Sequence, residues 1–402
     1  MRPPHLTYCT NIHPGETWAE VRANLARYVV PVRERFAPGA PFGLGLRLSA
    51  AAARTLAAPA ALAELRAFLR DHDLYVFTVN GFPYGPFHGA PVKERVYLPD
   101  WRDPARLAYT NQLADVLAAL VPEDVEGTIS TLPGAFAPRV RGPADAAAIA
   151  RAVAAHVAHL LAVEARTGRR IALALEPEPF CMLETVAETV AFFADHLFAA
   201  DTADALARAA GLPPAAAERA LRERVGVCYD TCHMAVAFEE PAAALAAFAA
   251  AGVRVPKIQV SAGLQLTLAG RPSDAPALAA LAAFADGVYL HQVVERTPDG
   301  ALVRYLDLGD ALAAAARAPD RPREWRVHFH VPLFRESLGP FDSTQAHARE
   351  VLALMRADAA CAHFEVETYS WGVLPPEFRD EDPVTAVVRE LAWAEAQLGG
   401  CG

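Results

Sequence analysis

A chain of 402 residues, 53% hydrophobic and 21% charged, has ample material for one large buried core. Its net charge of −10 excludes a nucleic-acid binder, because basic runs are short and Asp320-Arg-Pro-Arg-Glu324 is flanked by acids. The N-terminus Met1-Arg-Pro-Pro-His5 has no apolar core or cleavage site and predicts no signal peptide. No uninterrupted apolar stretch of about 18 residues predicts a transmembrane segment, and six scattered cysteines read as reduced thiols of a cytoplasmic protein.

Strand-like apolar runs alternate with amphipathic helical runs along the chain. The first strand is expected at Leu6–Ile12, followed by a helix over Thr17–Val29. A second strand at Phe42–Leu48 precedes a helix over Ala58–Asp71, and a third at Leu74–Val79 precedes Ala105–Leu120. Val125–Thr131 then leads into a helix over Ala144–Thr167, Ile171–Leu175 into Leu183–Leu197, and Val225–Tyr229 into Pro241–Ala251. Lys257–Val260 is the seventh strand; a helix over Ser343–Ala357 and a strand at His363–Val366 close the pattern. Eight runs alternating with helices predict one (β/α)8 TIM barrel spanning residues 1–402. An open doubly wound sheet is disfavoured, since no glycine-rich turn follows the first strand. A β-rich elaboration before the last strand is expected at about 280–340. There Gly287–Glu295 and Ala301–Leu306 flank Pro298-Asp-Gly300 as a hairpin, and Trp325–Phe334 forms a further strand.

In such a barrel the chemistry gathers at the carboxyl ends of the strands. Val225-Gly-Val-Cys-Tyr-Asp-Thr-Cys-His233 is the most informative of these ends. It delivers a carboxylate, Asp230, and an imidazole, His233, just before a helix. Asp230 would equally serve as a helix cap, and His233 as an ordinary buried histidine. Glu176 with Glu178, Gln259 with Ser261, and Glu365 with Glu367 end three more strands. Period-two alternation puts both members of each glutamate pair on one side, so spacing cannot choose between them. Carboxylates and imidazoles converging from separate strands suit a divalent ion: Mn, Zn, Mg, Co or Fe. Asn11, His13, Arg47, Asn80 and Tyr84 end or follow the first three strands and are candidate substrate-binding residues. His328 and His330 alternate along one short strand and face one side, which is solvent or the site. His328 is read as a substrate contact and His330 as a metal ligand.

Glu176-Pro, Asp230-Thr-Cys-His233 and Glu367-Thr-Tyr369 resemble the strand-end motifs of the xylose isomerase-like TIM barrels, over most of the chain. That superfamily includes sugar-phosphate isomerases and ketose epimerases. More narrowly, Asn80-Gly-Phe-Pro-Tyr-Gly85, Lys93-Glu-Arg-Val-Tyr-Leu-Pro-Asp-Trp101 and Phe364-Glu-Val-Glu-Thr-Tyr-Ser-Trp371 resemble the EboE metabolite traffic proteins. The first resemblance implies that Glu176 and Glu367 are catalytic acid/base groups and metal ligands, with Asp230 and His233 as further ligands. It implies a histidine ligand on the seventh strand, where this chain has Gln259. His330 is the expected replacement, with Gln259 a weaker donor. The expected activity is metal-dependent isomerisation or epimerisation of a small sugar, polyol or hydroxycarbonyl metabolite through an enediolate. The alternative is a non-catalytic metabolite-binding or traffic protein, which the EboE resemblance associates with a membrane metabolite-handling system.

Overall fold

The computed structural model describes residues 4–89, 91–285, 287–358 and 360–399. Seven strands come first: β1 (His5–Tyr8), β2 (Phe42–Arg47), β3 (Leu74–Asn80), β4 (Gly127–Thr131), β5 (Ile171–Leu175), β6 (Val225–Asp230) and β7 (Arg254–Val260). Six short strands follow: β8 (Leu264–Leu268), β9 (Val293–Arg296), β10 (Leu302–Tyr305), β11 (Arg323–Val327), β12 (Ser337–Leu338) and β13 (Phe341–Ser343). The chain returns to the first set with β14 (His363–Val366).

Strands β1–β7 and β14 form one eight-stranded sheet in the order β1-β14-β7-β6-β5-β4-β3-β2, with every neighbouring pair parallel. The ends meet through a parallel bridge between Cys9 and Gly45. The Gly45 amide also donates to Thr7 Oγ1 at 3.0 Å, and the Arg47 amide to Thr10 Oγ1 at 2.8 Å. The result is a nearly closed (β/α)8 barrel. Its strands are covered by helices on one face and by the barrel interior on the other; every residue of β2, β4, β5, β6 and β14 is buried.

The interior is unusually polar, and alternation puts its polar groups in layers. At the amino end Thr128 Oγ1 donates to Thr78 Oγ1 and lies 2.9 Å from His363 Nδ1. One layer up, Lys257 Nζ lies 2.6 Å from Glu365 Oε2 and donates to Ser130 Oγ at 3.1 Å, all three residues fully buried. Burial works against the Lys257 ammonium, but the Glu365 carboxylate outweighs it and holds the lysine above its usual range. Gly45 makes room for this layer: a Cβ there would sit 1.9 Å from Glu365 Oε1 and 2.7 Å from the Tyr8 carbonyl oxygen. Above Lys257 and Glu365, at the carboxyl face, come Gln259 and Glu367.

The elaboration is a second, antiparallel sheet, ordered β10-β9-β11-β8-β13-β12. The predicted hairpin is present as β9 and β10. The insertion starts earlier than residue 280, however, because Leu264-Gln-Leu-Thr-Leu268 is already its strand β8. The expected strand across Trp325–Phe334 stops at Val327. Beyond it the Phe329 amide donates to the Val327 carbonyl oxygen and the Val331 amide to that of Ala262. This fastens His328-Phe-His330 over the barrel mouth, with all three residues buried.

Local sequence explains the helix starts. Thr17 with Glu20 and Thr185 with Glu188 are capping boxes, and Asp103 and Asp382 cap the helices Pro104–Ala118 and Pro383–Leu398. The helix Pro143–Thr167 is long and apolar enough to cross a membrane by length and composition, where the sequence reading expected none. That reading looked for an uninterrupted apolar run, and a spanning helix tolerates a few polar residues. Here Ile149, Val153, Val157, Leu160 and Val163 are buried within the barrel's helical layer.

Candidate metal centre

The centre is built where β5, β6, β7 and β14 end. Asp230 closes β6 and caps the helix Thr231–Val236. Its Oδ1 accepts from the amides of Cys232 (2.7 Å) and His233 (2.9 Å) and from Ser261 Oγ (2.6 Å). Both readings of Asp230 therefore hold together: one oxygen caps, and Oδ2 is left without a hydrogen-bond partner. Oδ2 lies 3.7 Å from His233 Nε2 and 3.9 Å from His330 Nε2.

His233 and His330 face this oxygen, His328 stands beside His233, and the outer nitrogens of all three rings fix their tautomers. His233 Nδ1 is 2.9 Å from the Pro177 carbonyl oxygen, and His330 Nδ1 is 2.8 Å from that of Glu367. His328 Nδ1 is 2.7 Å from Gln292 Oε1. The Gln292 amide orientation is set by its nitrogen, which donates to Tyr97 Oη and to the Pro179 carbonyl oxygen. Carbonyl oxygens only accept, so each neutral ring carries its hydrogen on Nδ1 and turns an Nε2 lone pair inward. Burial, then the neighbouring imidazoles, pushes His328 well below the usual histidine range. Burial brings His330 down to about 4, against the opposing pull of Asp230. His233 Nε2 and His328 Nε2 lie 3.1 Å apart. Two lone pairs at that distance repel unless a cation lies between them. Outer hydrogen bonds that aim inner nitrogens are the usual support of metal-binding histidines.

The donors group in three ways: His233–His328–His330, Glu176–Asp230–His233 and Asp230–Cys232–His330, with the ligand atoms of each set within 4.8 Å of one another. Glu176 Oε2, Asp230 Oδ2, His330 Nε2 and both polar atoms of Gln259 are buried without hydrogen-bond partners. Gln259 pairs in register with Asp230 and Glu365. Orphaned buried lone pairs are costly unless something binds them, and this mixed set of imidazole and carboxylate donors fits a divalent cation.

Glu367 borders the same centre from β14. Its Oε1 accepts from Asn11 Nδ2 (2.6 Å) and Asn80 Nδ2 (3.0 Å). Burial, followed by Asp230 and Glu365, raises its carboxyl to about 8. Burial, followed by Glu367 and Asp230, holds Glu176 well above the carboxylate range. Glu178 is raised to about 7 by burial, although Tyr97 Oη donates to it at 2.8 Å. Glu176, Glu178 and Glu367 all line one cavity at the barrel mouth, whereas Glu365 lies a layer below with Lys257. Asn11, Asn80, His233 and His328 line it too.

Three predicted substrate contacts are elsewhere. Arg47 is 3.0 Å from Glu16 and donates to the carbonyl oxygens of Gly15 and Gly85, so its guanidinium is spent on loops. His13 lies 3.0 Å from Tyr8 Oη, stacks on Tyr28 and shares a separate small cavity with Arg47. Tyr84 packs edge-on against Tyr109, outside the described lining of the central cavity. Sequence reasoning missed Gln292, Tyr97, Ser261 and Tyr369, whose hydroxyl is 3.5 Å from His328 Nε2. Tyr369 had a signal, standing two residues after Glu367 at a strand end. Gln292 had none, because its partners are remote in sequence.

No family model matches the chain, and no curated protein matches it in sequence. Among solved structures the chain is similar to an L-ribulose 3-epimerase, with 13% identity over 98% of this chain and 94% of that one and a TM-score of 0.47. It is similar to an IolI protein with a bound zinc atom, with 10% identity over 98% of each chain and a TM-score of 0.44. A xylose isomerase-like TIM barrel protein from Mycobacterium smegmatis, in complex with magnesium, has 12% identity over 99% of this chain and 97% of that one, with a TM-score of 0.47. Likenesses this distant say nothing of the chain's chemistry, and the resemblance to the EboE proteins has no support among them.

Proposed function

We propose that the chain is an isomerase- or epimerase-like enzyme that moves a proton on a small hydroxycarbonyl or polyol metabolite beside a divalent cation. The observation that carries this reading is the pair Glu176 and Glu367. They reach one cavity from β5 and β14, strands separated in the sheet by β6 and β7, with the donor cluster between them. A proton-transfer site needs one carboxyl that gives up a proton and one that keeps it near neutral pH. Burial raises both groups, aided by Glu367 and Asp230 at Glu176 and by Asp230 and Glu365 at Glu367, which reaches about 8. Asn11 and Asn80 keep the Glu367 carboxylate oriented and oppose its protonation.

Asp230, His233, His328 and His330 would hold the cation, with Glu176 as a further ligand. The imidazole share favours zinc, manganese, cobalt or iron over magnesium. When bound, such a cation polarises a carbonyl and offsets enediolate charge. Free thiols at the five described cysteines fit a cytoplasmic setting. A second reading, metabolite binding without catalysis, is favoured by Gln259, an amide where the superfamily resemblance implies an imidazole.

Solvent deuterium exchange separates the two. The enzyme reading expects deuterium at the carbon next to the carbonyl of a small hydroxyketone, lost in Glu176→Gln and in Glu367→Gln. Binding without exchange in the metal-loaded wild type would leave only the carrier.

A further inference from the structure

The cavity has two chemically distinct halves. Its floor carries the carboxylates, amides and imidazoles of the strand ends. Its outer wall carries Phe82, Phe87, Val92, Val96, Tyr289 and Leu290. Phe87, Val92 and Tyr289 form an apolar cluster of their own, separate from the barrel core, with Val96 and Tyr369 packed against it. The Tyr289 hydroxyl is 2.8 Å from His88 Nδ1, so the phenol oxygen is engaged and ring carbon faces the cavity wall. Among the described lining residues Lys93 alone is cationic, and its Nζ is 2.6 Å from Asp307.

A sugar phosphate suits this cavity poorly. With the carbonyl end on the floor its dianion would lie against the apolar outer wall, where the one described lysine is already matched by an aspartate. A free hexose suits the outer half no better, because each hydroxyl placed against Phe82, Val92, Val96 or Leu290 would lose water without gaining a partner. We infer that the substrate is uncharged and amphipathic: a hydroxycarbonyl head on the polar floor and an alkyl or aryl body against the outer wall. The inference rests on the proposed chemistry for the head group and adds the nature of the body.

The test is calorimetric titration of the zinc-loaded full chain with 1-hydroxyalkan-2-ones from three to eight carbons, with dihydroxyacetone and dihydroxyacetone phosphate alongside. The dissociation constant is expected to fall about fourfold per added methylene while the tail fills the apolar wall. The phosphate ester is expected to bind more weakly than its parent alcohol. Val96→Asp should abolish the chain-length dependence; Phe87→Ala should roughly halve the dependence and serves where Val96→Asp does not fold. A flat series in the wild type, tighter binding of the phosphate ester, or a dependence unchanged in a folded variant overturns the inference. Metal content and deuterium exchange are read on the same samples. A chain that binds no metal and exchanges nothing, yet keeps the methylene dependence, sinks the proton-transfer reading and supports the amphipathic ligand. Stoichiometric metal and exchange with a flat series do the reverse.

Discussion

His233, His328 and His330 each give their Nδ1 hydrogen to a carbonyl oxygen and present Nε2 to the same space as Asp230 Oδ2. The place of Asp230 and His233 at a buried strand end was legible, but the motif alone left a helix cap and an ordinary buried histidine equally open. For His328 alternation showed only that it shares a side with His330; that the strand stops at Val327 and the following loop folds over the barrel mouth was not legible. Arg47 shows the reverse: a guanidinium at a strand end looked available, but Glu16 and two loop carbonyls engage its terminal nitrogens. At this scale the Asn11–Glu367 bond makes a clear prediction. It lowers the Glu367 carboxyl against burial, so Asn11→Ala should raise that group further. Exchange at pH 7 should fall roughly tenfold and recover at higher pH, since a shift of one unit changes the ionised fraction about tenfold. A uniform loss at every pH would instead mean that Asn11 acts on the substrate alone.

Elements set the distances that these residues need. Ile171–Leu175 and His363–Val366 appear as strands at their predicted bounds; the first is an uninterrupted apolar run, as a strand buried on both faces commonly is. The second sheet was placed too late because Leu264-Gln-Leu-Thr-Leu268, a period-two pattern, lies directly after a barrel strand and reads as its loop. Its strand β11 aims the histidine loop, and Phe329 anchors that loop by packing edge-on against Phe284 and tilted on His291. Phe329→Ala should cost about 3–5 kcal/mol in denaturant unfolding and weaken metal uptake although no ligand is touched. Uptake equal to wild type would show that the loop is held otherwise. On β2, Gly45→Ala should destabilise the barrel by about 2–3 kcal/mol, because the new methyl meets Glu365 and a backbone carbonyl that the sheet holds still. A neutral result by the same measurement would mean that the Lys257–Glu365 layer is mobile.

The whole molecule buries many groups that titrate between pH 4 and 8. Burial first of all lowers His13, His156, His347 and His363 to about 3, lowers His88 and His330 to about 4, and holds His328 well below its ordinary range. A lowered histidine contributes stability above its unfolded value, and that stability is lost as pH falls, because the unfolded chain takes up protons first. Burial raises Glu178 and Glu390 to about 7 and Glu367 to about 8, with Glu176 well above its range. Raised carboxyls act oppositely: their contribution is complete at low pH and is lost as pH rises through the folded values. The histidines outnumber the carboxyls below about pH 6.5, and above it the carboxyls act alone. Chelated protein should therefore be most stable near pH 6.5, with the midpoint of thermal unfolding falling on both sides. A bound cation keeps its carboxylate ligands ionised and should remove part of the alkaline loss. A metal-independent profile would argue against carboxylate ligands.

The metal content of the purified full chain tests the centre most directly. Mass spectrometry should find about one divalent ion per chain, lost in His328→Ala and in Asp230→Asn and retained in His13→Ala, whose ring lies in a different cavity. A wild-type chain that remains metal-free after incubation with zinc, manganese or cobalt would contradict the account, as would a folded His328→Ala variant that binds as much metal as the wild type.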